Sequence, residues 1–346
     1  MNKVQLSLLF VLVGSLFSIV VAQEAGRNVS KSGTTAATFL EIPVSARATS
    51  LGSAYSGIAD DVSSLYWNPA GSARLTQTEV IFSHMSWIAD MGFDYSAAAV
   101  PIEAFGTVGI SFAALTMDDM KVTTVEKPEG TGELFSASSI AAGVHYARNL
   151  SDRFSIGFSA KYIQETIWHM KASAFALDFG VLYTTEFFNE MKIGAIISNF
   201  GTDLQMEGRD ARLFYRVDPQ KMGSNERIPM NIEMDSWSLP LNFQFGIATN
   251  IVQSDIHRLT IAVDALHPSD NYESINIGTE YVFYNAIAFR GGYRSIGLTD
   301  SEGGLTLGAG VNSELFGGGI NARLDYAYAD YGRLKAVNSI TLAVVF

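Results

Sequence analysis

Cysteine is absent from all 346 residues, which removes disulfide frameworks, thiolate metal sites and cysteine nucleophiles together. Charge is scarce too. Asp, Glu, Lys and Arg make up 17% of the chain, against roughly 25% in ordinary soluble domains. The charge present leans acidic, with 35 Asp plus Glu against 23 Lys plus Arg and a net charge of -12. Nucleic acid is set aside as a partner, because phosphate contacts need clustered cations. Long apolar runs are missing after the first two dozen residues, so no later helical span is expected. With 48% hydrophobic residues, including 22 Phe, 14 Tyr and 4 Trp, the chain is too apolar for global disorder. Its length admits one large domain or two ordinary ones.

The one long apolar run, Leu6 to Val21, follows a basic start at Lys3 and precedes the small residues Val20-Val21-Ala22 and then polar Gln23. A spanning helix needs about 20 apolar residues, and this run falls short before polar residues 23–32 begin. Residues 1–22 therefore read as a secretory signal peptide.

From about residue 78 onward the apolar residues recur at every second position, the period that puts them on one face of a strand. Phe154, Ile156, Phe158, Ala160 and Tyr162 alternate with Ser155, Gly157, Ser159 and Lys161, and the same pattern runs through Phe175 to Tyr183, Leu259 to Ala265 and Ile320 to Tyr328. About fourteen such segments fall near 78–87, 94–101, 107–115, 138–147, 154–166, 174–185, 191–200, 240–250, 257–267, 273–284, 286–295, 304–313, 319–329 and 337–346. Most are long enough to cross a bilayer when tilted, which takes about 9 to 11 residues. Connections after even-numbered segments are short (Ile102 to Gly106, Arg148 to Arg153, Glu186 to Glu190, Asn285, Glu314 to Gly318), whereas the two longest, Thr116 to Ala137 and Gly201 to Leu239, follow odd-numbered ones. That parity, with aromatics near strand ends (Tyr95, Tyr146, Phe154, Trp168, Tyr183, Phe187, Phe188, Phe283, Tyr284, Tyr293 and Tyr328), predicts an all-β fold: a transmembrane antiparallel β-barrel set in outer-membrane lipid. A soluble sandwich also alternates, but rarely carries so many long strands. The last segment ends at Phe346 and is expected to pair with the first, leaving no edge in lipid.

Residues 23–77 have another texture, dense in Ala, Gly and Ser from Thr34 to Ala73. Residues 46–54 are expected to form a short helix, and Pro69 to open a helix or turn while holding Asn68 extended. The string Phe39-Leu40, Ile42-Pro43, Ala46-Arg47, Leu51-Gly52, Ala54, Gly57, Asp60-Asp61 and Tyr66-Trp67-Asn68-Pro69-Ala70 resembles the amino-terminal signature of the PorV/PorQ family, itself related to FadL-like outer-membrane transporters. The resemblance implies that residues 23–77 are a hatch plugging the lumen of a barrel over 78–346, with Asn68, Pro69, Ala70, Arg47, Gly52, Asp60 and Asp61 as its motif. It also implies an outer-membrane location and a part in type IX-like protein secretion, with secreted proteins or secretion-system components as partners. The alternative is a FadL-like passive transporter of hydrophobic small molecules. Both termini are expected on the periplasmic side. The hatch either gates the bore or simply fills a lumen too wide for side chains.

No enzyme is expected. His84, His145, His169, His257 and His267 lie on different segments without metal-ligand spacing, and no HExxH or GxSxG string occurs. A triad assembled across strands is a matter of geometry rather than sequence. Asp60-Asp61 and Asp118-Asp119 lack the spaced ligands of a calcium loop and read as solvated turns. No cofactor or metal is called for. Arg258, Asp264, Glu280, Arg290, Arg323 and Asp325 fall on the inward positions of segments nine, ten, eleven and thirteen. Mixed signs on one wall suggest a paired network, because an unpaired buried charge is costly; it reads either as ordinary lumen lining or as an anchor for the hatch.

Overall fold

The computed structural model describes residues 31–215, 220, 227–298, 301–313 and 321–346. The signal-peptide reading and the turn from Glu314 to Gly318 lie outside these residues. Among the described residues, fourteen strands close one antiparallel sheet, to which the two-residue strand Glu207–Gly208 adds beside β6: β1 (Glu79–Ser86), β2 (Gly92–Ile102), β3 (Gly106–Thr116), β4 (Ala137–Ser151), β5 (Phe154–Ile167), β6 (Met170–Thr184), β7 (Lys192–Gly201), β8 (Asn242–Gln253), β9 (His257–Pro268), β10 (Ser274–Phe283), β11 (Ile287–Ile296), β12 (Leu305–Asn312), β13 (Asn321–Asp330) and β14 (Ala336–Val345). Each pairs with its sequence neighbours, and β1 pairs with β14 from Glu79↔Val345 to Ser86↔Asn338. The sheet thus closes on itself, and no edge is left with unpaired backbone groups, as lipid requires.

Alternation decides which face each residue takes. On β6, Ala172, Ala174, Ala176 and Asp178 are buried inside while Phe175, Leu177, Phe179, Val181 and Tyr183 are exposed on the outer wall. β5 repeats the arrangement with Ser155 and Ser159 inside and Phe158 outside. An apolar exterior over a small or polar interior inverts the soluble pattern and suits a wall bathed in lipid. Most of the strand-end aromatics lie on the outside as expected. Tyr95 does not. It is 4% exposed and meets Tyr66 edge-on at 6.2 Å inside the barrel, because its alternation with outward Asp94 and Ser96 turns it inward.

Glu79 and Val345 lie opposite one another at the barrel end that carries the short turns. The two long connections at the other end contain small hairpins, Met120–Lys121 with Leu134–Phe135 after β3, then Leu204–Gln205 with Ser236–Trp237 and Arg212–Tyr215 with Ile228–Asn231 after β7. Pairing from β1 to β4 is uninterrupted. The wall is irregular elsewhere, with bulges between β6 and β7 at Leu177/Phe179 and between β10 and β11 at Ile275/Ile277.

Candidate functional site

Residues 36–75 pack against the inward face of the wall. They form a 3-10 turn (Thr38–Glu41), helix α1 (Ala46–Ser50), helix α2 (Ser64–Trp67) and a second 3-10 turn (Pro69–Arg74). α1 lies within the stretch expected to be helical but is only five residues long. Isolated helices this short are not stable alone, so packing holds this segment in shape. Tyr66 donates its hydroxyl hydrogen to Leu40 O and Ile42 O, at 2.7 and 2.9 Å, and Trp67 Nε1 donates to Val44 O at 3.1 Å. The two aromatics therefore cross-tie the segment's halves.

The wall accommodates this backbone by lacking side chains where it passes. A Cβ on Gly180 would stand 2.2 Å from Asn68 Oδ1, one on Gly194 2.1 Å from Ser56 O, and one on Gly278 2.3 Å from Leu51 O. Each is closer than non-bonded atoms approach. Asn68 is extended (φ -167°) and caps the turn begun by Pro69: Oδ1 accepts from Ala70 N at 3.2 Å, while Nδ2 donates to Ser56 O at 2.9 Å and to Val181 O of β6 at 3.0 Å. Ala70 is fully buried beside Gly157. Gly52 sits at φ +65°, and its N–H donates to Thr306 Oγ1 of β12 at 3.0 Å.

Charge fixes the opposite side. Arg47 of α1 forks onto Glu280 of β10 through Nε and Nη2, both at 2.9 Å, and its Nη1 reaches Asp60 Oδ1 at 2.7 Å and Asp61 Oδ2 at 3.1 Å. Glu280 also accepts from Arg290 of β11 at 2.6 Å; Arg290 continues to Asp325 of β13 at 2.7 Å, Asp325 to Arg323 at 2.7 Å, and Arg323 back to Asp61 at 2.6 Å. The motif residues Arg47, Asp60 and Asp61 and the wall residues Glu280, Arg290, Arg323 and Asp325 thus form one closed circuit, although about 230 positions separate Arg47 from Glu280. Arg258 stands at its rim, 4.0 Å from Glu280. Asp264 lies apart. Its Oδ2 accepts from Tyr55 N, Ser56 N and Gln244 Nε2 at 2.9, 2.8 and 2.7 Å, holding the segment by its backbone instead.

The reading of Asp60-Asp61 as a solvated turn fits exposed Asp60 but is corrected for Asp61. Asp61 is 3% exposed, and its partners compensate the burial. Burial alone would push its carboxyl up, but Arg323 and Arg47, with the Ser63 hydroxyl, hold it well below the usual aspartate range. The histidines stay dispersed: His145 is buried between Ser111 and Ser159, and His84, His169, His257 and His267 sit on exposed positions or rims.

Open space remains on either side of residues 36–75. Toward the long-loop end lies a cavity of about 230 Å³ bordered by Leu40, Ser53, Leu65, Tyr66 and Trp67 of the segment and by wall residues including Asn242 and Arg294. Toward the short-turn end lie two smaller ones of about 100 and 170 Å³, both bordered by Arg47, Asp60, Arg258 and Glu280.

Residues 15–164 match the model of an uncharacterised protein family (UPF0164). No curated protein matches the chain. Among solved structures, the Ralstonia pickettii toluene transporter TbuX is similar at a TM-score of 0.54 and 11% identity, over 87% of this chain and 97% of that one. The Pseudomonas putida toluene transporter TodX is similar at 0.54 and 11%, over 86% and 96%, and the CymD monoaromatic hydrocarbon channel at 0.53 and 10%, over 88% and 97%. Identities this low establish the fold alone: the chain folds as a closed fourteen-stranded antiparallel β-barrel similar to those of these channels.

Proposed function

We propose that the protein is a passive, non-enzymatic conduit for small hydrophobic molecules across an outer membrane, with residues 23–77 as a hatch in its bore and both termini periplasmic. The observation that carries this reading is the seating of residues 36–75: pinned by one charge circuit and a row of wall glycines, and bordered by cavities toward both ends. A segment seated in the bore with open space toward both ends has the form of a closure. The likeness to two toluene transporters supports the solute class. The test is initial uptake of labelled toluene by intact, lipopolysaccharide-coated cells with and without the protein. A several-fold rise is expected; a rate equal to that of cells lacking the protein overturns the reading.

A role in protein secretion, which the PorV/PorQ resemblance implies, draws on a different observation. Leu213, Phe214, Tyr215 and Met230 are exposed on the hairpin beyond β7, and connecting loops on a rigid scaffold often carry partner contacts. Crosslinking in intact cells should then recover a secreted protein on this hairpin, and recovery of none removes that role.

A further inference from the structure

The outer wall changes character at one end of β5 and β6. Toward the long-loop end, the outward residues Phe158, Phe179, Tyr162 and Phe175 keep the apolar face, and the rings of Tyr162 and Phe175 meet at 5.4 Å. The next outward pairs in register are polar, Gln164 opposite Ser173 and then Thr166 opposite Lys171. Exposed Trp168 follows, stacked on His169 at 4.2 Å. Aromatic rings with polar groups directly beyond them mark the level at which hydrocarbon gives way to lipid head groups. Long loops lie on the outer side of such barrels, so this rim meets the outer leaflet.

A groove of about 990 Å³ lies at this level. Tyr162, Gln164, Lys171 and Ser173 border it from the outward face, and residues within 205–212 and 231–234 border it from the connection between β7 and β8. None of that connection borders the 230 Å³ cavity in the bore. At the groove the connection therefore overhangs the outside of the wall.

Cations gather there against the trend of the chain. Lys171, Arg209 and Arg212 border the groove together with two carboxylates, Glu207 and Glu233, whereas the whole chain sets 23 Lys plus Arg against 35 Asp plus Glu. Among the described residues Lys171 and Arg212 take part in no ion pair, although Glu207 stands opposite Lys171 in register. Arg209 rests on the His169 ring, 2.8 Å from Nε2, and its one carboxylate neighbour is Asp210 at 3.7 Å, itself paired with His169 at 3.1 Å. Lys171 and Arg212 are exposed, as is the side chain of Arg209 at 69%, so a ligand in the groove reaches all three. Lys and Arg are the residues that take up phosphate, Arg through two parallel hydrogen bonds.

From this we infer that the groove beyond Tyr162 and Phe175 is a docking site for an anionic lipid of the outer leaflet, its phosphate held by Lys171, Arg209 and Arg212 and its acyl chains lying along Phe158, Phe175 and Phe179. The occupant is a lipid rather than a free anion, because the cations stand directly beyond an exposed apolar wall that acyl chains cover. The inference rests on the membrane placement within the conduit reading and is independent of what the bore carries.

Native mass spectrometry of the full-length mature protein in an uncharged detergent, titrated with dioleoylphosphatidic acid or dioleoylphosphatidylcholine, tests this. The two lipids share acyl chains and differ in whether choline caps the phosphate. The wild type should bind phosphatidic acid about tenfold or more tighter, since each Lys or Arg beside an anionic lipid adds to its attraction. Lys171→Gln, Arg209→Gln and Arg212→Gln together should bring the two lipids within about twofold of each other. Lys121→Gln, Lys127→Gln and Lys335→Gln together remove the same charge from exposed positions at the same end of the barrel and should keep the preference. Equal binding of the two lipids by the wild type overturns the inference. So does a preference that survives in the assembled groove variant, one lost equally in the control variant, or displacement of phosphatidic acid by an equal concentration of inorganic phosphate. If the groove variant lacks heat-modifiable gel migration, Arg212→Gln alone, a loop change, should weaken phosphatidic acid about threefold or more, and no weakening overturns the inference. Toluene uptake by cells is read separately: uptake without lipid preference removes this inference and leaves the conduit, whereas lipid preference without uptake removes the conduit alone.

Discussion

Asn68 joins three pieces of chain with one amide. It caps the Pro69–Arg74 turn, holds the Ser56 carbonyl and reaches Val181 on the wall. Pro69 keeps φ near -65° and Asn68 out of the helical region, so the pair sets the direction in which the chain turns toward β1. Asn68→Ala with Pro69→Ala removes three side-chain hydrogen bonds without touching the barrel ladder. The double variant should keep its heat modifiability and strand content, while limited proteolysis cuts residues 34–75 several times faster than in the wild type. Wild-type protection of that stretch would show that the motif does not organise it.

Arg47 is the corresponding residue on the charged side. It is 5% exposed and serves three carboxylates, so Arg47→Met leaves buried anions short of a partner, a change that typically costs about 3–5 kcal/mol. The cost should fall on the seating of residues 36–75 rather than on barrel closure, which depends on strand pairing.

At the scale of elements, residues 36–75 behave as a unit attached differently on its two sides. Toward β5–β8 it rests on glycine and backbone, where fit decides; toward β10–β13 ions join the glycine and backbone contacts. On the ionic side acid acts through Asp61. Because Asp61 is held below its ordinary value of 3.8 in the folded protein, its stabilisation is fully present above about pH 4 and is lost as the pH falls through the depressed value. Protease sensitivity of residues 34–75 should therefore rise below about pH 4, ahead of any loss of strand signal by circular dichroism. A rise already between pH 7 and 5 would point to another group.

These elements differed in how far they could be read from the amino-acid order. The strands were legible because lipid outside and a small-residue lumen inside impose a strict period of two, as in Phe158 to Tyr162 and Phe175 to Tyr183. The inward set Glu280, Arg290, Arg323 and Asp325 followed from the same alternation. Its junction with Arg47 and Asp61 did not, since closure of the barrel, and no local pattern, brings those residues together. Tyr95 was misplaced because an aromatic near a strand end was weighed as a girdle residue, although its parity with Asp94 and Ser96 already pointed inward. The hairpins within the long connections lack period-two runs long enough to register.

For the whole molecule, closure of β1 on β14 and the outward aromatics mean that the mature chain should require detergent, migrate faster unheated than boiled on a denaturing gel, and show mostly strand by circular dichroism. The central claim, however, is that residues 36–75 close a conduit. It is tested most directly by the rate of toluene uptake in intact cells carrying no protein, wild type, or Arg47→Met at matched outer-membrane amounts. The account predicts a wild-type rate several-fold above cells without protein and a further rise in Arg47→Met in step with faster proteolysis of residues 34–75. A wild-type rate no higher than the background, or an Arg47→Met variant whose segment is released without any change in uptake, would contradict it.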